Sequence, residues 1–216
     1  LFRSESFNKF ESVSNQLIQD LKILNPQLNI EKIKSNIVLK CSIEEICKNS
    51  ILIQESIIED LEIKKKVFKQ LDKLSTKDTI IASSSSYLLI SKISEDVEYR
   101  DRCINAHPAL PPHVVPFVEV GGGPNTSKSI IDKALSIYKK ANYAAIVINK
   151  ETEGFILNRL QGALLNEAVR LHEGGFASME DIDIALKHAL GIRWAFMGPF
   201  EIMDLNAPEG IKDSFT

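Results

Sequence analysis

Cysteine is scarce in this chain: Cys41, Cys47 and Cys103 are the only three among 216 residues. An odd count leaves no complete disulfide framework. Cys41 and Cys47 also lack the C-x-x-C spacing that grips zinc or runs redox exchange, so no metal site is expected. They read as free thiols with structural roles in a reducing, cytoplasmic compartment. No apolar run approaches the ~20 residues that span a bilayer, which excludes a membrane-spanning helix of the usual kind. An excess of one charge is missing as well. Twenty-six Lys and Arg face 29 Asp and Glu, a formal net charge of -3, which gives no electrostatic case for nucleic acid or an anionic membrane as partner. There is no internal repeat, and no low-complexity tract beyond Ser83-Ser84-Ser85-Ser86. Tryptophan occurs once, at Trp194.

What is present is ordinary for a globular protein: 44% hydrophobic and 25% charged residues, in a chain long enough for one large domain or two small ones. The chain opens on Leu1 rather than methionine and closes at Thr216 soon after a helical pattern. It therefore reads as a piece of a longer protein, from which a targeting peptide could have been removed.

Periodicity divides the chain in two. Ser4 to Leu24 carries Phe7, Phe10, Val13, Leu17, Leu21 and Leu24 at helical spacing and ends before Pro26. Asn36 to Lys40 and Ser50 to Gln54 read as buried strands, with a capping-box helix starting at Ser42-Ile43-Glu44-Glu45 between them. Glu59 to Leu74 is an amphipathic helix with a lysine-rich outer face. Thr79 to Ala82, Cys103 to Ala106, Phe117 to Val120 and Ala144 to Ile148 are further strands. This alternation predicts a mainly parallel α/β sheet, whose functional groups collect beyond the strands' carboxyl ends. Beyond Lys150 the character changes. Phe155 to His172 is one long helix closed by Gly174-Gly175, and Ser178 caps another that runs to Leu190 and stops at Gly191. The expected organisation is a mixed domain over 1–150 and a helical domain over 151–216.

The residues with chemical interest sit where strands end. His107 opens His107-Pro108-Ala109-Leu110-Pro111-Pro112, and twelve residues later Glu119 lies within Pro116-Phe117-Val118-Glu119-Val120. Oxidation of a secondary alcohol needs an imidazole to take the hydroxyl proton, and a carboxylate to orient that imidazole and stabilise its charged form. The serine cluster stands upstream, and Gly154-Phe155-Ile156-Leu157-Asn158-Arg159-Leu160 stands downstream. Singly, each has a plainer reading: a loop histidine, a solvated serine turn, a helix-surface amide. His113, His172 and His188 have no evident partners.

Together these four stretches resemble the 3-hydroxyacyl-CoA dehydrogenase superfamily, nearest to its branch of lambda-crystallins and L-gulonate 3-dehydrogenases. Glu153-Gly154-Phe155 and Gly198-Pro199-Phe200-Glu201 add family-like context. The resemblance implies an NAD-dependent oxidation of a 3-hydroxy acid, with Ser86, His107, Glu119 and Asn158 as its catalytic residues. Ser86 and Asn158 would hold the substrate oxygen. It places Glu59 and Lys64 near the nicotinamide end of the cofactor, although a salt-bridged exposed helix face would explain the same pair. Ser84 matches a position that approaches the cofactor ribose. Arg193, beside Trp194, offers a two-pronged donor for a substrate carboxylate, with a structural ion pair as the other reading. That anchor favours a free acid such as L-gulonate. A 3-hydroxyacyl-CoA dehydrogenase, a carnitine dehydrogenase and a non-catalytic crystallin-like protein are the alternatives. The family resemblance further implies a homodimer.

One part of the family's pattern is missing. A dehydrogenase of this type opens with a strand and a Gly-rich turn whose bare amides meet the pyrophosphate, and no G-x-G-x-x-G occurs here. Gly121-Gly122-Gly123 follows the Glu119 strand and is no substitute. The missing strand, turn and helix are expected to precede Leu1, leaving an incomplete Rossmann-type nucleotide-binding domain followed by part of an all-helical C-terminal domain. The piece by itself is expected to be inactive. Leu1-Phe2-Arg3 then reads as the end of the second strand, with Arg3 where the family carries an acid for the ribose hydroxyls.

Overall fold

The structure, a computed structural model, describes residues 4–38, 40 and 42–206. Arg3 and Cys41 lie outside the described residues. The chain divides into two compact units, residues 1–158 and 159–216.

The first unit is built on five strands, β1 (Leu52–Glu55), β2 (Ile80–Ser83), β3 (Cys103–Pro108), β4 (Phe117–Gly122) and β5 (Ala144–Ile148). They lie in the order β1-β2-β3-β4-β5. β1, β2 and β3 are parallel, β3 and β4 antiparallel, and β4 and β5 parallel again. Among the described residues the sheet is thus mainly parallel, as expected, with β3 against β4 as its one antiparallel pairing. The reason is the link over residues 109–116: a parallel return needs a crossover of a dozen or more residues, whereas a short link brings the chain straight back.

Successive strand residues serve opposite faces of the sheet. Ile81 and Cys103 join Phe68, Leu71, Ile90 and Ile93 in one core cluster. Ile80, Ala82, Ile104 and Ala106 join Val118, Val120 and Ala134 in the other. Helix α4 (Leu61–Leu74), capped by the Asp60 side chain on the Ile63 N–H, and short α5 (Ile90–Ile93) supply the first cluster. Helix α6 (Lys128–Lys140) supplies the second. The sequence reading passed over α6, although its signals were present. Ser127 caps it through the Ile130 N–H, and Ile130, Ile131, Ala134, Leu135 and Tyr138 recur at helical spacing.

Before the sheet come α1 (Ser4–Leu24), α2 (Ile30–Ser35) and α3 (Ile43–Cys47), the last capped by Ser42 on the Glu45 N–H as the capping box predicts. The strand expected over Asn36 to Lys40 is absent from the described part of that segment. The Asn36 N–H turns back onto the Ile33 and Lys34 carbonyls, and Ile37 and Val38 are exposed. Among the described residues no strand pairs with this stretch, and an unpaired strand has nowhere to place its backbone hydrogen bonds.

A buried arginine fastens the far end of α4. Arg102 Nη2 lies 2.7 Å from Asp72 Oδ1 and donates to the Asp72 carbonyl as well. Its Nη1 donates to Ser75 Oγ and to the carbonyls of Thr76 and Thr79. The last turn of α4 and the start of β2 are thereby held by one planar fork.

Every regular element among the described residues of the second unit is a helix. Helix α7 (Phe155–Glu173) begins in the first unit. It ends in a left-handed glycine turn, with Gly175 at φ 72°. The Phe176 N–H reaches back to the Leu171 carbonyl and the Gly175 N–H to His172, satisfying carbonyls the helix leaves open. Ser178 caps α8 (Met179–Ala185), as expected. Gly191 does not stop that helix. Its φ of -61° and ψ of -44° are ordinary right-handed values. The chain therefore continues through a π-helical turn (Leu186–Gly191) into α9 (Ile192–Trp194) before α10 (Pro199–Asn206).

Candidate active site

The antiparallel register of β3 and β4 makes His107 and Glu119 direct partners across the ladder. Side chains at paired positions project to the same face, and His107 Nδ1 meets Glu119 Oε2 at 2.9 Å. Both residues are buried. The other oxygen, Oε1, accepts the backbone N–H groups of Ile156 and Leu157, each at 2.9 Å. These are among the open donors at the start of α7, where a negative charge is favoured. Phe155, held at φ 48°, tilts its ring over the imidazole with centroids 5.5 Å apart. The histidine is thus fixed by a carboxylate and an aromatic ring. Among the described residues its Nε2 has no partner.

Beside this pair opens a cleft of about 330 Å³, lined by Ser84, Ser86, His107, Glu59 and Lys64 together with Ile57. Five of the residues singled out in the sequence therefore share one cavity in the first unit. Ser86 is exposed there. Asn158 approaches by a different contact: its Nδ2 donates to the backbone carbonyl of Ser86 at 3.0 Å, tying the start of α7 to the serine turn. Ser84 Oγ accepts from Gln54 Nε2 and meets Ser56 Oγ, both at 2.7 Å. Arg193 belongs to the second unit, on α9, and is exposed.

Lys64 does not lie on an exposed helix face. It is 1% exposed, and its Nζ donates to Glu55 Oε1 at 2.8 Å and to the Ile57 carbonyl at 3.3 Å. Glu59 Oε2 is 3.3 Å away, on a side chain that is itself 44% exposed. Burial pushes the Glu59 carboxyl up, but a hydrogen bond from Ser85 and the nearby Lys64 ammonium outweigh it, leaving Glu59 below the usual carboxylate range. Glu55 escaped the sequence reading. The available signal was its place at the carboxyl end of a parallel strand, the edge at which such sheets gather function. Phe155 and Gln54 escaped for want of any chemical signature of their own.

These residues could hold one end of a dinucleotide. The cleft lies beyond the carboxyl ends of β1 and β2 and combines hydroxyl donors, one buried cation and an apolar wall. The phosphate end calls for a Gly-rich turn that this sequence does not contain.

Comparison with known proteins shows the family. Residues 3–152 match the family described as 3-hydroxyacyl-CoA dehydrogenase, NAD binding domain, and residues 154–215 match its C-terminal domain. The lambda-crystallin homolog of Homo sapiens is 38% identical over 202 residues, which cover 93% of this chain and 63% of that protein. The L-carnitine dehydrogenase of Oceanobacillus iheyensis is 39% identical over 167 residues, 77% of this chain and 54% of that enzyme. A crystal structure of 5-formyl-3-hydroxy-2-methylpyridine 4-carboxylic acid 5-dehydrogenase, an NAD+ dependent dismutase, superposes with a TM-score of 0.81 at 28% identity. It covers 98% of this chain and 67% of that one. The chain thus spans less than two thirds of the length of its curated relatives. Both parts carry the family's pattern in order, and the protein belongs to the 3-hydroxyacyl-CoA dehydrogenase family.

Proposed function

We propose that the full-length protein oxidises a small 3-hydroxy acid with NAD as cofactor, and that L-gulonate is its substrate. The observation that carries the reading is the His107–Glu119 pair, fixed at 2.9 Å and bordering a cleft that also holds Ser86. Bound NAD would supply the hydride acceptor for the carbinol carbon. His107 Nε2 takes the hydroxyl proton as the hydride leaves, because Nδ1 is committed to Glu119. Glu119 holds the imidazole tautomer and stabilises the imidazolium. Ser86 and Asn158 orient the substrate oxygen as it becomes a carbonyl. Ser84, Glu59 and Lys64 border the nicotinamide end. In this proposal 1–150 is the NAD-binding domain and 151–216 the helical domain. Homodimer assembly and a cytoplasmic setting rest on family resemblance and on the free thiols.

Arg193 is the proposed anchor for the substrate carboxylate, and it separates the gulonate reading from an acyl-CoA one. The kinship with L-carnitine dehydrogenases supports a second reading, since carnitine is also a 3-hydroxy acid and carries a carboxylate. Steady-state rates of the full-length protein with NAD should be measured on L-gulonate, L-carnitine and 3-hydroxybutyryl-CoA. L-gulonate is expected to give the highest kcat/KM. Arg193→Lys keeps the charge but loses the planar fork, so kcat/KM on the free acids should fall about ten- to a hundred-fold, the worth of a charge-assisted hydrogen bond. The thioester should be unaffected. Equal losses on acid and thioester would place Arg193 in the scaffold. No turnover of any hydroxy acid would favour a crystallin-like structural role.

A further inference from the structure

Glu55 is a buried acid in the first unit to which neither the sequence pattern nor the proposed reaction assigns a role. Its side chain is 2% exposed, and each of its oxygens is in use. Oε1 accepts from Lys64 Nζ at 2.8 Å and from the Ile57 N–H at 2.6 Å. Oε2 accepts from Ser83 Oγ at 2.7 Å. Glu55 and Ser83 are register partners at the carboxyl ends of β1 and β2, and the Ser84 N–H continues that ladder onto the Glu55 carbonyl at 2.8 Å. A single carboxylate therefore joins the cation of the cleft to the strand end from which the serine turn departs.

We infer that Glu55 is a positioning residue that holds the Lys64 ammonium aimed at the edge of the cleft. An ammonium this deeply buried is costly without a counter-charge, and it loses its fixed position when the counter-charge is lost. Glu59 cannot replace Glu55. It is 3.3 Å from Nζ, and its side chain remains 44% exposed, so water competes for the interaction. Glu55 also fixes direction: with Glu55 Oε1 on one proton and the Ile57 carbonyl on another, the third is turned toward Glu59 and the cleft that Glu59 and Lys64 both line. Glu55 itself does not line the cleft. Its influence passes through Lys64, and the inference rests on the reading of Lys64 as a residue at the nicotinamide end of the cofactor.

The test is a double-mutant cycle in the full-length protein, with KM for NAD, kcat and thermal midpoint measured for each variant. Glu55→Gln preserves the shape and can still bond Ser83, but removes the charge. It should raise KM for NAD about ten-fold or more while changing kcat less than about three-fold. In a Lys64→Met background the same change should leave KM for NAD unaltered, because the residue through which Glu55 acts is gone. If Glu55→Gln alone does not fold, Lys64→Met is compared with the double variant, which contains no unpaired buried charge. Equal KM values for NAD support the inference, and a further ten-fold rise overturns it. A wild-type KM in a stable Glu55→Gln variant overturns it too and makes Glu55 a purely structural acid. Failure of the wild-type protein to bind NAD by calorimetry overturns the functional reading itself, and the inference with it.

Discussion

In the proposed reaction the residue that bears most on function is His107, because its chemistry depends on which ring nitrogen is free. Glu119 engages Nδ1, so proton transfer falls to Nε2. His107→Ala in the full-length protein should lower kcat by roughly 10²–10⁴-fold, the usual worth of a positioned base. Near-normal turnover with folding intact would remove His107 from the mechanism. His107, Glu119, Ser86 and Asn158 could be picked out in the sequence because together they match the pattern of the family the chain resembles, whereas singly each has a plainer reading. What sequence could not convey was how Asn158 is engaged, through the Ser86 carbonyl rather than its hydroxyl. Nor could it show that Lys64 is buried, since a lysine between Lys65 and a charged turn looks like surface until Glu55 is brought beneath it.

Among the elements, α4 carries Lys64 to the cleft on its first turn, and Arg102 secures its far end to the start of β2. Its guanidinium is 1% exposed and paired with Asp72 at 2.7 Å, while its Nε has no hydrogen-bond partner among the described residues. Arg102→Met fills the space but leaves the Asp72 carboxylate buried without its cation. Breaking one side of a buried pair costs about 3–5 kcal/mol, so urea titration should show a loss of that size. A loss under about 1 kcal/mol would mean that solvent already reaches Asp72. Helix starts were legible wherever a capping side chain stood, as at Ser42 and Ser178. Helix ends were less so. Gly175 does terminate α7 in a left-handed turn, whereas Gly191 sits in a right-handed helix, and glycine accepts both conformations.

At the scale of the whole molecule, burial sets the state of the thiols. Cys47 and Cys103 are both buried. Burial pushes the Cys103 thiol up to about 12, from an ordinary value of 9.0. The folded chain therefore holds this proton more tightly than the unfolded chain does. The resulting stability is fully present below pH 9.0 and declines as pH rises toward about 12. Within that window the loss approaches about 1.4 kcal/mol per pH unit. The difference in urea midpoint between wild-type and Cys103→Ala should accordingly shrink from pH 8 to pH 10.5. A constant difference would show that water reaches the thiol in the folded state.

By itself the sequence determined the alternation of strands and helices, the change to a helical region near Lys150, and the identity of the His107–Glu119 pair. Each is written in local periodicity or in the chemistry of a side chain. The tertiary structure decided what depends on neighbours distant along the chain. It turned β4 antiparallel to β3, which sets His107 opposite Glu119, and left residues 36–38 without a strand to pair with. It also placed Glu55 beneath Lys64, joining β1 to α4. Local pattern tells a residue what it can become. Which side chains meet is fixed only when the sheet and the helices packed on it set their register, and there the burial of charge and the pairing of backbone groups decide the outcome.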